Sequence, residues 1–339
     1  MIRPLGTAFA AFLGLIFGSF LNVCLSRWPV GESISEGGSH CRHCDHEIPW
    51  YENIPLLSFL SLGGRCRKCN HSIGLRYPLV EASVALLWGY SAWQIPLGLF
   101  DPQLPKIILD NTMMVFAGKL LFYWLMVALA FLDWENLWLP DWLTLPGAAI
   151  GFALTLLSTL LLGNWGAFVP PPYYDLTGLI ADTLLGIGGA ALLILLIRWI
   201  YFLIRRREGV GLGDAKLMAL LAAWMGLPLA LLSFGIGVIL AAIAGIVMLA
   251  RPRKRRQDAT IPASASPPET ARADALPSTP ADAPIPANAL PDPSAVAPSP
   301  DGARKFARLP LGTFLCIGGI VAHLWGQRIL AAYLQMFNY

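Results

Sequence analysis

Long apolar runs separated by short polar breaks dominate the sequence. A membrane-crossing helix needs about 20 predominantly apolar residues. Eight runs come close to that length: 5–26, 79–100, 112–132, 143–163, 178–204, 215–232, 234–250 and 309–334. The pattern predicts an all-α polytopic membrane protein of about eight transmembrane helices. The sixth and seventh runs are the least clearly separated, with only Gly226-Leu227-Pro228 and Ser233 between them. Two long stretches fall outside the apolar pattern, 27–78 and 251–308. They divide the chain into a first helix (1–26), a cytoplasmic domain (27–78), a membrane core (79–250), a polar loop (251–308) and a last helix (309–339).

Composition agrees with this reading. Of 339 residues, 56% are hydrophobic and 13% charged, against about 25% charged in soluble domains. The first run follows Arg3 and could pass for a secretion signal. It is long for that role and no small-x-small site follows it, so it is expected to stay as a membrane helix.

The net charge of +3 matters less than where the cations lie. Loop 27–78 carries six Lys or Arg, segment 198–213 four and segment 251–308 nine, opening with Arg251-Pro252-Arg253-Lys254-Arg255-Arg256. The alternate loops hold Lys106 and almost nothing else. By the positive-inside rule the basic loops face the cytoplasm and both termini face out. Segment 252–303 is rich in Pro, Ala and Ser and is expected to be disordered, a tether to the last span. Loop 164–177 is expected to be an external turn, and no internal repeat of the transporter kind is evident.

The cytoplasmic loop carries two C-x-x-C pairs, Cys41/Cys44 and Cys66/Cys69, separated by 21 residues. Two such knuckles supply a tetrahedral thiolate set for structural Zn²⁺. Two disulfides are the competing reading, disfavoured on the reducing cytoplasmic side. Zinc ligation is worth about 10–16 kcal/mol in zinc-finger peptides, enough to fold a small loop of mixed charge. His40, His43, His46 and His71 read as a solvated rim, and Cys24 and Cys316 as apolar packing residues.

The chemistry is expected at two aspartates. Asp133 ends the third run, in Asp133-Trp134-Glu135-Asn136-Leu137-Trp138-Leu139-Pro140-Asp141, and Asp214 begins the sixth, in Gly211-Leu212-Gly213-Asp214-Ala215-Lys216. An Asp carried into a bilayer costs about 2.5–3.5 kcal/mol, so it is a functional candidate by default. The topology puts both on the cytoplasmic side. Paired carboxylates share a proton, so one can activate water while the other protonates a leaving amine. The plainer alternative is that Asp214 only caps its helix. Trp50, Tyr51 and their neighbours suit packing at the headgroup level.

Taken together, these motifs resemble the type IV prepilin peptidases of the GxGD aspartyl-protease class. The resemblance rests on Gly18-Ser19-Phe20-Leu21-Asn22-Val23, the four cysteines, Glu52-Asn53-Ile54-Pro55, Arg76-Tyr77-Pro78-Leu79-Val80-Glu81 and both Asp segments, in family order. It implies a bacterial inner-membrane enzyme with its active site facing the cytoplasm. Such an enzyme cuts the basic leader of prepilins or type II secretion pseudopilins after a Gly, then N-methylates the new terminus with S-adenosylmethionine. It also implies that Asp133 and Asp214 are catalytic, with Gly211, Gly213, Lys216, Pro140 and Asp141 supporting. Glu52, Arg76 and Glu81 are methyltransferase candidates. Glu135 stands where the family often has another Asp. Thr313 stands where a Pro is common, a departure expected to affect the packing of the last span without touching the aspartates.

The partners expected are prepilin-type substrates and membrane lipid, not nucleic acid, and no catalytic metal is called for. Two other readings remain. A proton-coupled transporter would use the aspartates as a relay. A non-enzymatic adaptor would use the zinc ribbon to bind a partner.

Overall fold

A computed structural model describes residues 2–35, 37–41, 43–96, 103, 105–162, 176–206, 211–250 and 309–336. The tether 252–303 and most of loop 164–177 lie outside the described residues. The described chain is almost wholly helical: α1 (Ile2–Arg27), α2 (Leu57–Ser61), α3 (Arg76–Trp93), α4 (Lys106–Asn136), α5 (Asp141–Leu162), α6 (Leu176–Arg205), α7 (Leu212–Ala250) and α8 (Leu311–Met336). Six of these, α1 and α4 to α8, are long and apolar enough to cross a membrane.

The eight apolar runs map onto this architecture with two changes. The second run forms α3, which ends at Trp93 instead of near 100 and spans 18 residues. The sixth and seventh runs share α7, which has 39 residues and breaks at Gly226, where φ is 76° and ψ 166°. Glycine adopts that conformation without steric cost, and Pro228 just beyond removes a donor from the restarting helix. The junction therefore lies at Gly226 and not at Ser233. Ser233 is fully buried and donates from its hydroxyl to the Leu315 carbonyl of α8, 3.3 Å away.

Small residues set how closely the helices approach. Gly14 and Gly18 stack one turn apart on α1 and face the backbone of α3. A Cβ on either would fall 2.7 Å from the Cα of Ala85 or Glu81. Contact this close is a common solution in membranes, where dispersion between backbones replaces the hydrophobic drive. The interior joins Leu21, Val80 and Val84 to Met126, Leu129 and Leu132 of α4, and on to Leu217, Met218 and Leu221 of α7 and Leu315 of α8. Cys24 and Cys316 are buried in this interior, as their apolar role requires. Leu185, Ile204 and Leu249 are among many outward-facing apolar side chains, as befits helices solvated by lipid. One polar contact that the apolar pattern conceals lies inside: the Tyr123 hydroxyl meets His323 Nδ1 at 2.5 Å.

Residues Met1–Ile243 with Pro310–Tyr339 form one compact unit and Ala244–Leu309 a second. The described residues of the second are the end of α7 and Leu309.

The 27–78 loop holds two knuckles of the same design. In the first, the Cys41 N–H donates to the His46 carbonyl and the Asp45 N–H to the Cys41 carbonyl, both 2.9 Å. In the second, Cys66 N–H to His71 and Asn70 N–H to Cys66 repeat these bonds, again at 2.9 Å. Asp45 and Asn70 both take the left-handed conformation that closes the turn, with φ of 51° and 57°. Their short polar side chains tolerate that region. The shared pattern Cys-Arg-x-Cys-(Asp/Asn)-His-x-Ile, at 41–48 and 66–73, is visible in the sequence once the geometry points to it.

Substituting Gly18 by Leu should force α1 away from α3. Overpacking typically costs about 1–3 kcal/mol. Thermal unfolding in detergent should show a lower midpoint for Gly18→Leu, while Gly6→Leu, where a side chain meets open space, should leave it unchanged.

Candidate active site and zinc knuckles

The four knuckle sulfurs lie within 4.8 Å of one another, and Cys41 Sγ sits 3.8 Å from Cys69 Sγ. Four thiolates about 2.3 Å from a tetrahedral zinc stand about 3.8 Å apart, so the donor set fits the ion. The backbone N–H groups of Cys69 and Lys68 point at Cys66 Sγ and pull its thiol down to about 7, which favours the thiolate a metal needs. The His43 and His71 rings stack beside the knuckles with centroids 4.4 Å apart.

Asp133 lies in the last turn of α4. That helix ends at Leu137, which takes a left-handed conformation (φ 53°) and donates its N–H to the Asp133 carbonyl at 2.9 Å. Three residues on, the Pro140 carbonyl accepts the Leu143 and Thr144 N–H groups and the Thr144 hydroxyl, which starts α5. Leu139 lies between these helices and sets the site. A Cβ on Gly213 would lie 3.1 Å from Leu139 Cβ, and one on Gly312 3.0 Å from Leu139 Cδ1. The starts of α7 and α8 therefore close on one leucine, bringing their first turns to the Asp133 carboxylate.

Asp214 lies in the first turn of α7. Its Oδ2 accepts the Gly211 N–H at 3.2 Å, the reach of an N3 acid back to the N-cap amide. Asp214 thus does cap its helix, and the same carboxylate also lies close enough to Asp133 to interact electrostatically. Both aspartates are buried, 6% and 7% exposed. Exposed Trp134, Trp138 and Trp142 surround the α4–α5 junction, as at a membrane–water boundary.

Thr313 overturns one expectation: it touches an aspartate. Its N–H donates to Asp133 Oδ2 at 2.7 Å, and its hydroxyl lies 3.2 Å from the same oxygen and 2.9 Å from the Ala130 carbonyl. A proline at 313 would offer neither donor. Gly312 beside it leaves no room for a side chain, since a Cβ would fall 3.0 Å from Asp133 Cγ. Leu139, Gly312 and Thr313 are the site residues that sequence reasoning missed. The unusual Thr313 was the one signal of them.

The other candidates are placed as follows. Lys216 Nζ pairs with Asp141 Oδ1 at 2.5 Å and ties the start of α7 to that of α5. Arg76 Nη1 pairs with Glu135 Oε2 at 2.8 Å, and its Nη2 donates to Ser26 Oγ at 2.7 Å. Arg76 thereby joins α1, α3 and α4 two residues from Asp133. Glu52 pairs with Arg67 at 3.0 Å. Glu81, buried in α3, accepts the Leu56 N–H at 2.8 Å and meets the side chains of Ser19 and Asn22. The three methyltransferase candidates thus have three different partners.

Residues 12–95 match the family model of the bacterial peptidase A24 N-terminal domain, and residues 120–246 that of the type IV leader peptidase family. A relative in Stutzerimonas stutzeri is 29% identical over 96% of this chain and 93% of its own. One in Burkholderia pseudomallei is 32% identical over 74% and 79%, and one in Aeromonas hydrophila 35% identical over 67% and 79%. All three carry the name prepilin leader peptidase/N-methyltransferase. No solved structure matches at a significant level. The chain belongs to the type IV leader peptidase family, a class of multi-pass membrane proteins.

The purified protein should carry about one zinc per chain if the four sulfurs form one tetrahedral site. Cys66→Ser should lose it by elemental analysis and expose the 27–78 loop to protease. Zinc retention in the wild type should also weaken on acidification, because protons compete with the metal for the thiolates.

Proposed function

We propose that this protein sits in the bacterial inner membrane with its active site at the cytoplasmic face. It removes the leader of type IV prepilins or type II secretion pseudopilins after a Gly and N-methylates the new terminus. The observation that carries the reading is the electrostatic proximity of Asp133, in the last turn of α4, to Asp214, in the first turn of α7, 81 positions apart in sequence. The relatives' names support both activities.

In this mechanism one carboxylate takes a proton from water as its oxygen attacks the scissile carbonyl. The other, protonated, first donates to the carbonyl oxygen, and a proton then passes to the leaving amine as the C–N bond breaks. The substrate's apolar helix lies among lipid-exposed helices with its basic leader at the cytoplasmic edge. Gly211 keeps the backbone beside Asp214 free of a side chain for an extended chain, and Gly213 lets α7 close on Leu139. Lys216, Asp141 and Pro140 hold the surrounding helix starts together.

Residues 27–78 form the zinc-binding domain in this reading, ahead of the membrane core at 79–250. S-adenosylmethionine is the methyl donor, supplying an electrophilic methyl group when bound. Glu81 is the best placed of the three candidates to face that cation. It is buried beside Asn22, whose Oδ1 is buried without a hydrogen-bond partner among the described residues. Glu52 and Arg76 already serve Arg67 and Glu135.

Cleavage of a prepilin by purified protein tests the central reading. Asp133→Asn and Asp214→Asn should each lower the rate by at least about 100-fold, the low end of general acid–base contributions. Both should still methylate a pre-cut pilin peptide. A folded variant that cuts at the wild-type rate would remove that residue from the catalytic pair. Glu81→Gln should weaken binding of S-adenosylmethionine measured by equilibrium dialysis while leaving cleavage in place.

A further inference from the structure

Thr313 is the third residue of α8, where backbone N–H groups have no partner within the helix. Its N–H is spent on Asp133 Oδ2 at 2.7 Å. Its hydroxyl holds a single proton and lies between two acceptors, the Ala130 carbonyl at 2.9 Å and the same Oδ2 at 3.2 Å. A backbone N–H can only donate, so an Oδ2 that accepts it at this distance is poorly placed to carry a proton of its own. The geometry thereby makes the two oxygens of Asp133 inequivalent. Oδ2 is held as an acceptor by the Thr313 N–H, and the Gly312 backbone also donates to this carboxylate, so Oδ1 is the oxygen without the Thr313 amide.

We propose that Thr313 is a positioning residue that selects the reacting oxygen of Asp133. Through its N–H, held in place by the hydroxyl's anchor on Ala130, it fixes the carboxylate on α8 and directs proton uptake to Oδ1. The proposal rests on the reading of Asp133 as one of the catalytic pair. Three features of the site favour it. The contact joins residues 180 positions apart, so it is not a local helix cap. Gly312 lets the start of α8 reach the carboxylate, because a Cβ there would fall 3.0 Å from Oδ2. The bond from the hydroxyl to Ala130, one turn before Asp133 on α4, anchors Thr313 to that helix and keeps its N–H in register with the carboxylate.

The test compares full-length Thr313→Val, Thr313→Ala and Thr313→Ser with wild type and Asp133→Asn, using steady-state cleavage of one prepilin. Val keeps the shape and the N–H but removes the hydroxyl, and Ala removes it without adding a methyl group where Val proves unstable. Loss of the hydroxyl's anchor on Ala130 loosens the Thr313 N–H from Oδ2 and should lower kcat by up to about tenfold in Val and Ala. KM should stay within about twofold, because Thr313 is buried with its polar atoms turned to Asp133 and Ala130. Ser should restore kcat, and methylation of a pre-cut peptide should be unchanged in all three. Wild-type kcat in folded Val or Ala would overturn the proposal, as would a Ser variant as slow as Val, which would assign Thr313 to packing alone. If Asp133→Asn itself cuts at the wild-type rate, the pair reading falls and this proposal with it. If Asp133→Asn is inert while Val is fully active, only the role of Thr313 falls.

Discussion

A carboxylate held among apolar helices must be given donors, and the rest of this structure is arranged around meeting that need for Asp133. An ionised Asp in a bilayer costs about 2.5–3.5 kcal/mol on insertion scales, and a hydrogen bond to a charged group returns about 1.5–3 kcal/mol. The start of α8 supplies those donors, and α8 can come so near only because Gly312 has no side chain. The start of α7 approaches under the same condition at Gly213, against the same Leu139. Two glycines and one leucine thus decide whether two aspartates from distant segments meet.

The 27–78 loop with its four clustered cysteines is tied to this centre through side chains and not only through the chain. Glu81 fixes Leu56, which takes a strained conformation with φ 58°. Arg76 bridges Ser26 of α1 and Glu135 of α4. The segments matched by the two family models, 12–95 and 120–246, are joined here by an ion pair two residues from Asp133. A membrane offers little hydrophobic drive between helices, so such polar links and the Gly14–Gly18 contact carry much of the assembly.

Much of the fold was legible because length and apolarity report directly on bilayer crossing. The helices follow the apolar runs, and the cysteine spacing gives the two knuckles. The break in α7 was misplaced by a few residues. A polar Ser233 looks like an interruption, yet it is satisfied inside the bundle by Leu315, whereas Gly226 provides the backbone freedom a break requires. Asp133 and Asp214 stood out because charge is rare in such runs. Leu139 and Thr313 did not, because a leucine in an apolar chain carries no signal and a contact across 180 residues leaves no periodicity. Thr313 was noticed as a departure from a family pattern but read as a matter of packing. Only the distance to Oδ2 gave it chemistry.

The central claim is that the carboxylates of α4 and α7 form one site, and proximity in the native membrane tests it most directly. A chain carrying Asp133→Cys and Asp214→Cys, with Cys24 and Cys316 replaced by Ala and a protease site placed in 164–175, can be oxidised in isolated membranes and then cut. The account predicts a rapid 133–214 disulfide that holds the two fragments together until reduced, with no such link when only Asp133→Cys or only Asp214→Cys is present in the same background, which keeps Cys41, Cys44, Cys66 and Cys69. Fragments that separate without reductant, under conditions where both thiols still react with a small maleimide, would contradict it.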